Sequence, residues 1–207
     1  MARKQNPLTR PGLLEAAFTV IRTKGYAATT VDDVCAKAEL SKGAFFHHFS
    51  SKEEMAVAAA QHWSEVTGAV FETASYHDAA DPLERLLNYV AFRKQLIQGE
   101  LPDFTCFVGT MAQEVYETSE AIRQACWNSI SGHAETLVSD IEAALDQYRI
   151  TETFTAESLA LHIQAVIQGA FILAKASGNP QQAVESLDHL HRYIRLLFSP
   201  TMIDHVE

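Results

Sequence analysis

Nine histidines and three cysteines invite a search for metal or nucleophile chemistry in this 207-residue chain, and their spacing argues against both. A helical metal site needs ligands about one turn apart. The sequence contains no His-x-x-x-His and no Glu-x-x-His, and His189 and His191, two apart, fall on different faces of a helix. Cys35, Cys106 and Cys126 are odd in number, widely separated and without a Cys-x-x-Cys, so neither a zinc cluster nor a disulfide framework is expected. No Gly-x-Ser-x-Gly, Ser-x-x-Lys or glycine-rich phosphate loop occurs. The expectation is no metal, no cofactor and no enzymatic reaction.

The stretch SKGAFFHHFSSKEE, Ser41 to Glu54, points to a different chemistry. It sets Lys42, His47, His48 and Lys52, all able to donate hydrogen bonds to anions, beside Gly43, Ala44 and the rings of Phe45, Phe46 and Phe49. Residues 1–52 carry eight basic side chains, Arg3 and Lys4 among them, against four acidic ones, a net +4. Residues 53–207 carry eight against twenty-two, a net −14, within a total of −10. A chain divided in this way is expected to bring its basic part to a polyanion.

The elements that must position these groups read as helices throughout. LLEAAFTVIRTKG puts Leu14, Ala17, Phe18 and Ile21 on one face and stops at Gly25. Thr30, with Asp33 as capping-box partner, opens a helix of about two turns. Ser41 caps a second short helix, and Ser51 with Glu54 opens a long fourth one. Helices this short need one another to be stable, so the first three form one cluster. Longer helices are expected after Asp81-Pro82, as one continuous element from Ser119 through EAIRQACWNSISGHAETLVSDIEAALDQY, after Thr155, and after Asn179-Pro180. The fold class is therefore all-α, with an N-terminal three-helix cluster and a larger C-terminal helical part. No window approaches twenty uninterrupted apolar residues and the N-terminus has no apolar segment behind its charges, so no membrane partner is expected and the cytoplasm is the expected location.

Two short helices joined by a tight turn within a three-helix cluster make a helix-turn-helix, whose second helix enters the DNA major groove. Gly43 and Ala44 remove bulk where backbone approaches DNA, Lys42 and Lys52 suit phosphates, and His47 or His48 can donate to them. Phe45 and Phe49, four apart, are expected as core plugs, which leaves Phe46 on the face that meets the duplex.

The run GYAATTVDDVCAKAELSKGAFFHHFSSKEEM resembles the TetR family of bacterial repressors, strongly over the first third of the chain and architecturally beyond it. The resemblance implies a DNA-binding domain over 1–52, with its motif at about 30–49, and a ligand-binding and dimerisation domain over 53–207. It implies that Thr30 caps the second helix and meets a phosphate, that Lys42, Gly43 and Ala44, behind the cap Ser41, approach bases, that His47 touches backbone and that Lys52 grips a phosphate. The family usually has tyrosine where Phe46 stands, and commonly glycine in the turn where Glu39 stands.

The resemblance also implies a small-molecule effector in the C-terminal part. Candidates for its lining are Trp63, Phe107, Met111, Trp127 and Phe171, with His133, His162 and Gln168 as polar residues on otherwise apolar faces. The acidity of this part favours a neutral or cationic effector. Cys106, near a helix start that favours thiolate, is either a buried small hydrophobe or, if folding brings Lys175 to it, a redox or electrophile sensor. A homodimer is expected through the last two helices, with Ala165, Gly169 and Ala176 allowing close approach and Leu187, Leu190, Ile194 and Leu197 supplying a stripe. Such a dimer would read a pseudo-palindromic double-stranded operator as a ligand-released repressor. The competing class is an all-α interaction or enzyme module whose helix-turn-helix has lost DNA binding.

Overall fold

The structure is a computed structural model that describes residues 9–151 and 154–199; Arg3 and Lys4 of the basic N-terminal group lie outside them. Among the described residues there are eleven α-helices, one short 3-10 turn at Ser75–Asp78 and no strand.

α1 (Thr9–Lys24) buries Leu13, Leu14, Ala17, Phe18 and Ile21. It ends at Gly25, whose φ of +85° strains any side chain, and a Cβ there would lie 2.5 Å from Glu114 Oε1 and push that carboxylate aside. α2 (Val31–Lys37) starts in a full capping box: Thr30 Oγ1 accepts from Asp33 N at 3.2 Å, and Thr30 N donates to Asp33 Oδ2 at 2.7 Å. Lys24 pairs with the same carboxylate at 2.6 Å, and these bonds hold its pKa well below the usual range. Ser41 caps α3 (Lys42–His48) by accepting from Ala44 N. α4 (Lys52–Glu72) begins where Ser51 Oγ accepts from Glu54 N at 3.0 Å. The return bond of the expected box is shifted, because the Glu54 carboxylate accepts from Ser50 N at 2.7 Å instead of from Ser51.

The remaining helices are α5 (Pro82–Gln95), α6 (Leu101–Phe104), α7 (Phe107–Val115), α8 (Glu120–Glu135), α9 (Val138–Gln147), α10 (Ala156–Ser177) and α11 (Gln181–Leu197). The single helix expected after Ser119 is two helices. At the break Thr136 Oγ1 donates to His133 O at 2.8 Å and Leu137 N bonds three residues back to Ala134 O, so local hydrogen bonds replace one turn of the regular ladder.

The chain packs as two compact units, one holding the residues up to Glu72 with Gly99–Gly132, the other Thr73–Gln98 with the residues from His133 onward. This division differs from the 52/53 boundary of the sequence reading. Met55, Ala56, Ala59 and Ala60 of α4 share one core with α1, α2, α3 and α7, so α4 does not separate from the N-terminal cluster. In the other unit α11 packs on α10 and α5, and α5 on α9. There Leu187, Leu190 and Ile194 are buried, so the leucine stripe expected at a dimer face belongs to the unit's own core. α10 is long and apolar enough to cross a membrane, with mean hydropathy 1.5 over its most apolar window. Its Leu159, Ile163, Ile167, Phe171 and Ala174 are buried in the same core.

Candidate nucleic-acid interface

α3 divides its side chains by face. Phe45 and Phe49 are 0% and 2% exposed, with ring centroids 5.5 Å apart, whereas Phe46 is 55% exposed. Lys42, Gly43 and His47 are exposed beside Phe46, Ala44 is half-buried, and the caps Thr30 and Ser41 are exposed at the same end of the motif. His48 turns toward Phe49 and is half-buried; burial, then His47 and Arg10, lowers its pKa, so His47 is the outward histidine. Gly43 is informative because the fold does not demand it. A Cβ there would meet only Ser41 Oγ, at an ordinary 3.7 Å. A glycine in a helix costs stability relative to alanine, and no neighbour within the chain explains this one.

The turn before α3 contains Glu39 at φ +54°, in the left-handed region that favours glycine. The residue type departs from the family pattern, but the backbone conformation that glycine serves is present.

The link between α1 and α2 is clamped from two sides. Glu114 of α7 accepts from Tyr26 N at 3.0 Å and Ala27 N at 2.8 Å. Lys52 of α4 donates to Tyr26 O at 3.1 Å and Thr29 O at 2.9 Å and lies 4.2 Å from the centre of the Tyr26 ring. Two of its donors are thus committed within the chain, and Lys52 positions the start of α2. Lys42, expected to meet DNA directly, pairs with Asp32 Oδ1 of α2 at 2.8 Å. Glu114 and Asp32 were both missed from sequence. Asp32 is exposed on α2, and its type and spacing alone gave no signal for its pairing with Lys42.

The expected effector residues are distributed over the two units. In the first, Phe107 and Met111 are fully buried, and Trp63 packs on Phe18 and Phe107 at 5.2 and 5.9 Å between centroids, with the Arg22 guanidinium 5.1 Å from its own ring. Trp127 is half exposed. An open cleft of about 530 Å³ between α4 and α8 is lined by none of these four but by Gln61, Ser64, Gln124, Asn128 and Ser129 among others, with Ser64 donating to Ser129 at 2.8 Å. In the second unit His133 belongs to a polar chain: Gln164 Nε2 donates to Tyr89 Oη at 2.9 Å, and Tyr89 Oη lies 2.9 Å from His133 Nε2. Burial, with Arg93 second, pushes the His133 pKa down to about 3, so the ring that shares this hydrogen bond with Tyr89 is neutral. Phe171 is buried with Arg93 over its ring, and Gln168 is half-buried. His162 is exposed and its ring lies 5.3 Å from that of Tyr193, tilted by 60°.

Cys106 is the N-cap of α7, its sulfur accepting from Gly109 N at 3.4 Å. It packs against the core that contains Cys126, whose thiol burial pushes up to about 12. Lys175, its expected partner, belongs to the other unit.

A capped short helix that faces outward behind a tight turn, with its aromatic anchors sunk in a three-helix core, defines a helix-turn-helix protein. The sequence profile described as "Bacterial regulatory proteins, tetR family" matches residues 13–59. That described as "Tetracyclin repressor-like, C-terminal domain" matches residues 82–190, more than half of the chain. The chain belongs to the TetR family, whose members are transcriptional regulators with a DNA-binding helix-turn-helix domain. It is 25% identical to the HTH-type transcriptional repressor DhaR of Mycobacterium sp. (strain GP1), over 82% of this chain and 84% of that one. Its fold is similar to that of the regulatory protein TetR from Rhodobacter sphaeroides, with a TM-score of 0.79, 20% identity, and coverage of 90% and 98% of the two chains. It is likewise similar to a cysteine mutant of the TetR family regulator CifR, solved with a 26-bp double-strand operator DNA (TM-score 0.74, 17% identity, 93% and 98% covered).

Proposed function

We propose that this protein is a cytoplasmic, ligand-responsive transcriptional repressor that binds a pseudo-palindromic operator as a homodimer and is released by a small effector. The observation that carries the DNA-binding part is the outward strip of α3, Lys42, Gly43, Phe46 and His47, in which the glycine has no explanation inside the fold. Thr30 and Ser41 flank that strip as caps with exposed ends, and in this reading Lys52 serves as a clamp with its remaining donor toward a phosphate. In assignment of function, the DNA-binding domain is residues 1–52, and effector binding and dimerisation fall to 53–207.

Dimerisation is supported by the exposed apolar residues of α10 and α11: Leu161, Ile172, Leu173, Tyr193 and Leu196, interspersed with exposed Ala165 and Ala176. A second copy of this chain is the occupant such a pair of helices suits, and two-fold pairing would present two α3 helices to half-sites about one helical turn apart. For release, the aromatic cluster of Trp63, Phe18 and Phe107 supports α4 as the transmitter, since it ties the middle of α4 to α1 behind the recognition helix.

The experiment is electrophoretic retardation of duplex from the region upstream of the gene, with salt as the variable. A retarded species whose log affinity falls linearly with log salt, with a slope of about 0.9 per phosphate neutralised, supports the reading. No retardation even at low salt refutes it and favours an all-α module that does not bind DNA. Sedimentation at micromolar concentration that yields only monomer refutes the dimer. Once a small molecule is found that releases the DNA, a Trp63→Ala variant that binds it and is still fully released removes Trp63 from the route.

A further inference from the structure

Lys42, the cation best placed to reach the duplex, is already engaged. Its ammonium and the Asp32 carboxylate stand 2.8 Å apart with side chains 61% and 64% exposed. Asp32 takes no part in capping α2 and is not buried; within the fold it serves only as a first-turn carboxylate of that helix. The capping box of α2 is made by Thr30 and Asp33, Asp33 takes Lys24, and the helix is anchored by Val34 and Cys35. A carboxylate at this place opposes phosphate in two ways: it repels it, and it occupies the ammonium that would neutralise it. Binding to arbitrary DNA is driven by the number of phosphates neutralised, whereas a base edge such as guanine O6/N7 offers a lysine a directed acceptor.

We propose that Asp32 is a specificity-determining residue that holds Lys42 away from the phosphates of arbitrary DNA and yields it only where the operator supplies a base-edge acceptor. The inference rests on the reading of α3 as the DNA-facing helix. The Lys42–Asp32 pair is exposed and therefore weak, a factor of about two to five in equilibrium terms. That is small enough to be exchanged on a matching sequence and large enough to reduce binding everywhere else.

The test uses the full-length protein, with thermal melting as a check on the fold, and fluorescence anisotropy on two labelled duplexes: one of random sequence, and one selected from a random pool by the wild-type protein. Asp32→Asn keeps the size of the side chain and leaves the capping box intact; Asp32→Ser is the second variant should the first fold poorly. On random-sequence duplex both are expected to bind about two- to fivefold more tightly. The slope of log affinity against log salt is expected to steepen by about 0.9, the signature of one further phosphate neutralised. Adding Lys42→Ala to Asp32→Asn should remove most of the gain, leaving only the relief of direct repulsion, and on the selected duplex the gain should be smaller, so that the ratio between the two duplexes falls. A gain undiminished by Lys42→Ala, an unchanged slope, or an unchanged ratio overturns the role given to Asp32. A wild-type protein that binds neither duplex at low salt overturns the DNA-binding reading with it, whereas wild-type binding with unaltered Asp32 variants overturns this inference alone.

Discussion

Gly43→Ala separates stability from DNA binding and so tests why a glycine stands in α3. The added methyl would touch only Ser41 Oγ at 3.7 Å, the backbone there is ordinary helix, and no core residue has to move. Replacing glycine by alanine at such a site stabilises by about 0.4–1 kcal/mol, through fewer unfolded conformations and a better helix former. Position 43 lies in the first turn, so the lower half of that range applies, and at about 2–4 °C per kcal/mol the melting temperature should rise by roughly 1–3 °C. If the missing side chain exists to let DNA backbone or base edges approach, the same methyl overpacks that interface at a cost of about 1–3 kcal/mol, or roughly 5- to 150-fold in affinity. The assay is a thermal melt beside fluorescence anisotropy on one operator duplex at fixed salt. A variant that gains stability and binds DNA as well as the wild type would refute the reasoning, because Gly43 would then face solvent in the complex too.

Phe45→Ala should cost about 3–5 kcal/mol, since the ring is fully buried, while Phe46→Ala should leave the melt nearly unchanged and weaken DNA binding; the reverse pattern in the two melts would exchange the faces of α3. Glu39→Gly should stabilise the protein by roughly 0.5–1 kcal/mol by relieving a left-handed residue at φ +54°, and a destabilised variant by chemical denaturation would contradict this. Of the three free cysteines, iodoacetamide should label Cys106 in the folded protein and spare Cys35 and Cys126, which are 5% and 0% exposed; mass spectrometry that finds all three labelled at one rate without denaturant counts against this packing. His133 has a folded pKa of about 3, below its unfolded 6.5, so the unfolded chain binds the extra proton between those values and stability must fall as pH drops from 6.5 toward 3. His133→Gln should flatten that part of the denaturation profile, and an unchanged slope would show that the ring is not held neutral by the fold.

Much of the first 50 residues, and the helix starts at Asp81 and Thr155, were legible because the determinants are local. Thr30, Ser41, Asp81 and Thr155 cap helices with donors two or three residues on, and Phe45 and Phe49 one turn apart must share a face that Phe46 cannot. What escaped depends on partners distant in sequence or on competition with no pattern of its own. The clamp by Glu114 joins residues 88 apart and that by Lys52 residues 26 apart. The apolar stripe of α11 announces a buried face but not whether its own chain or a second copy buries it, and here Leu187, Leu190 and Ile194 go to the chain's own core. The break after Glu135 leaves the helical period of Ile130, Ala134 and Ile141 undisturbed, so periodicity alone reads through it. His133 and His162 look alike as polar residues on apolar helices, yet one ends in a buried hydrogen-bonded chain and the other in an exposed, tilted contact with the Tyr193 ring.

The central claim, that the outward strip of α3 reads a two-fold operator, is tested most directly by selecting bound sequences from a random duplex pool with the wild-type protein and with Lys42→Ala and Phe46→Ala variants. The expected result is enrichment of an inverted repeat with half-sites about one helical turn apart by the wild type, and loss or relaxation of that motif by the variants while their melts stay unchanged. No enrichment by the wild type, or the same motif recovered at the same strength by all three proteins, would contradict it.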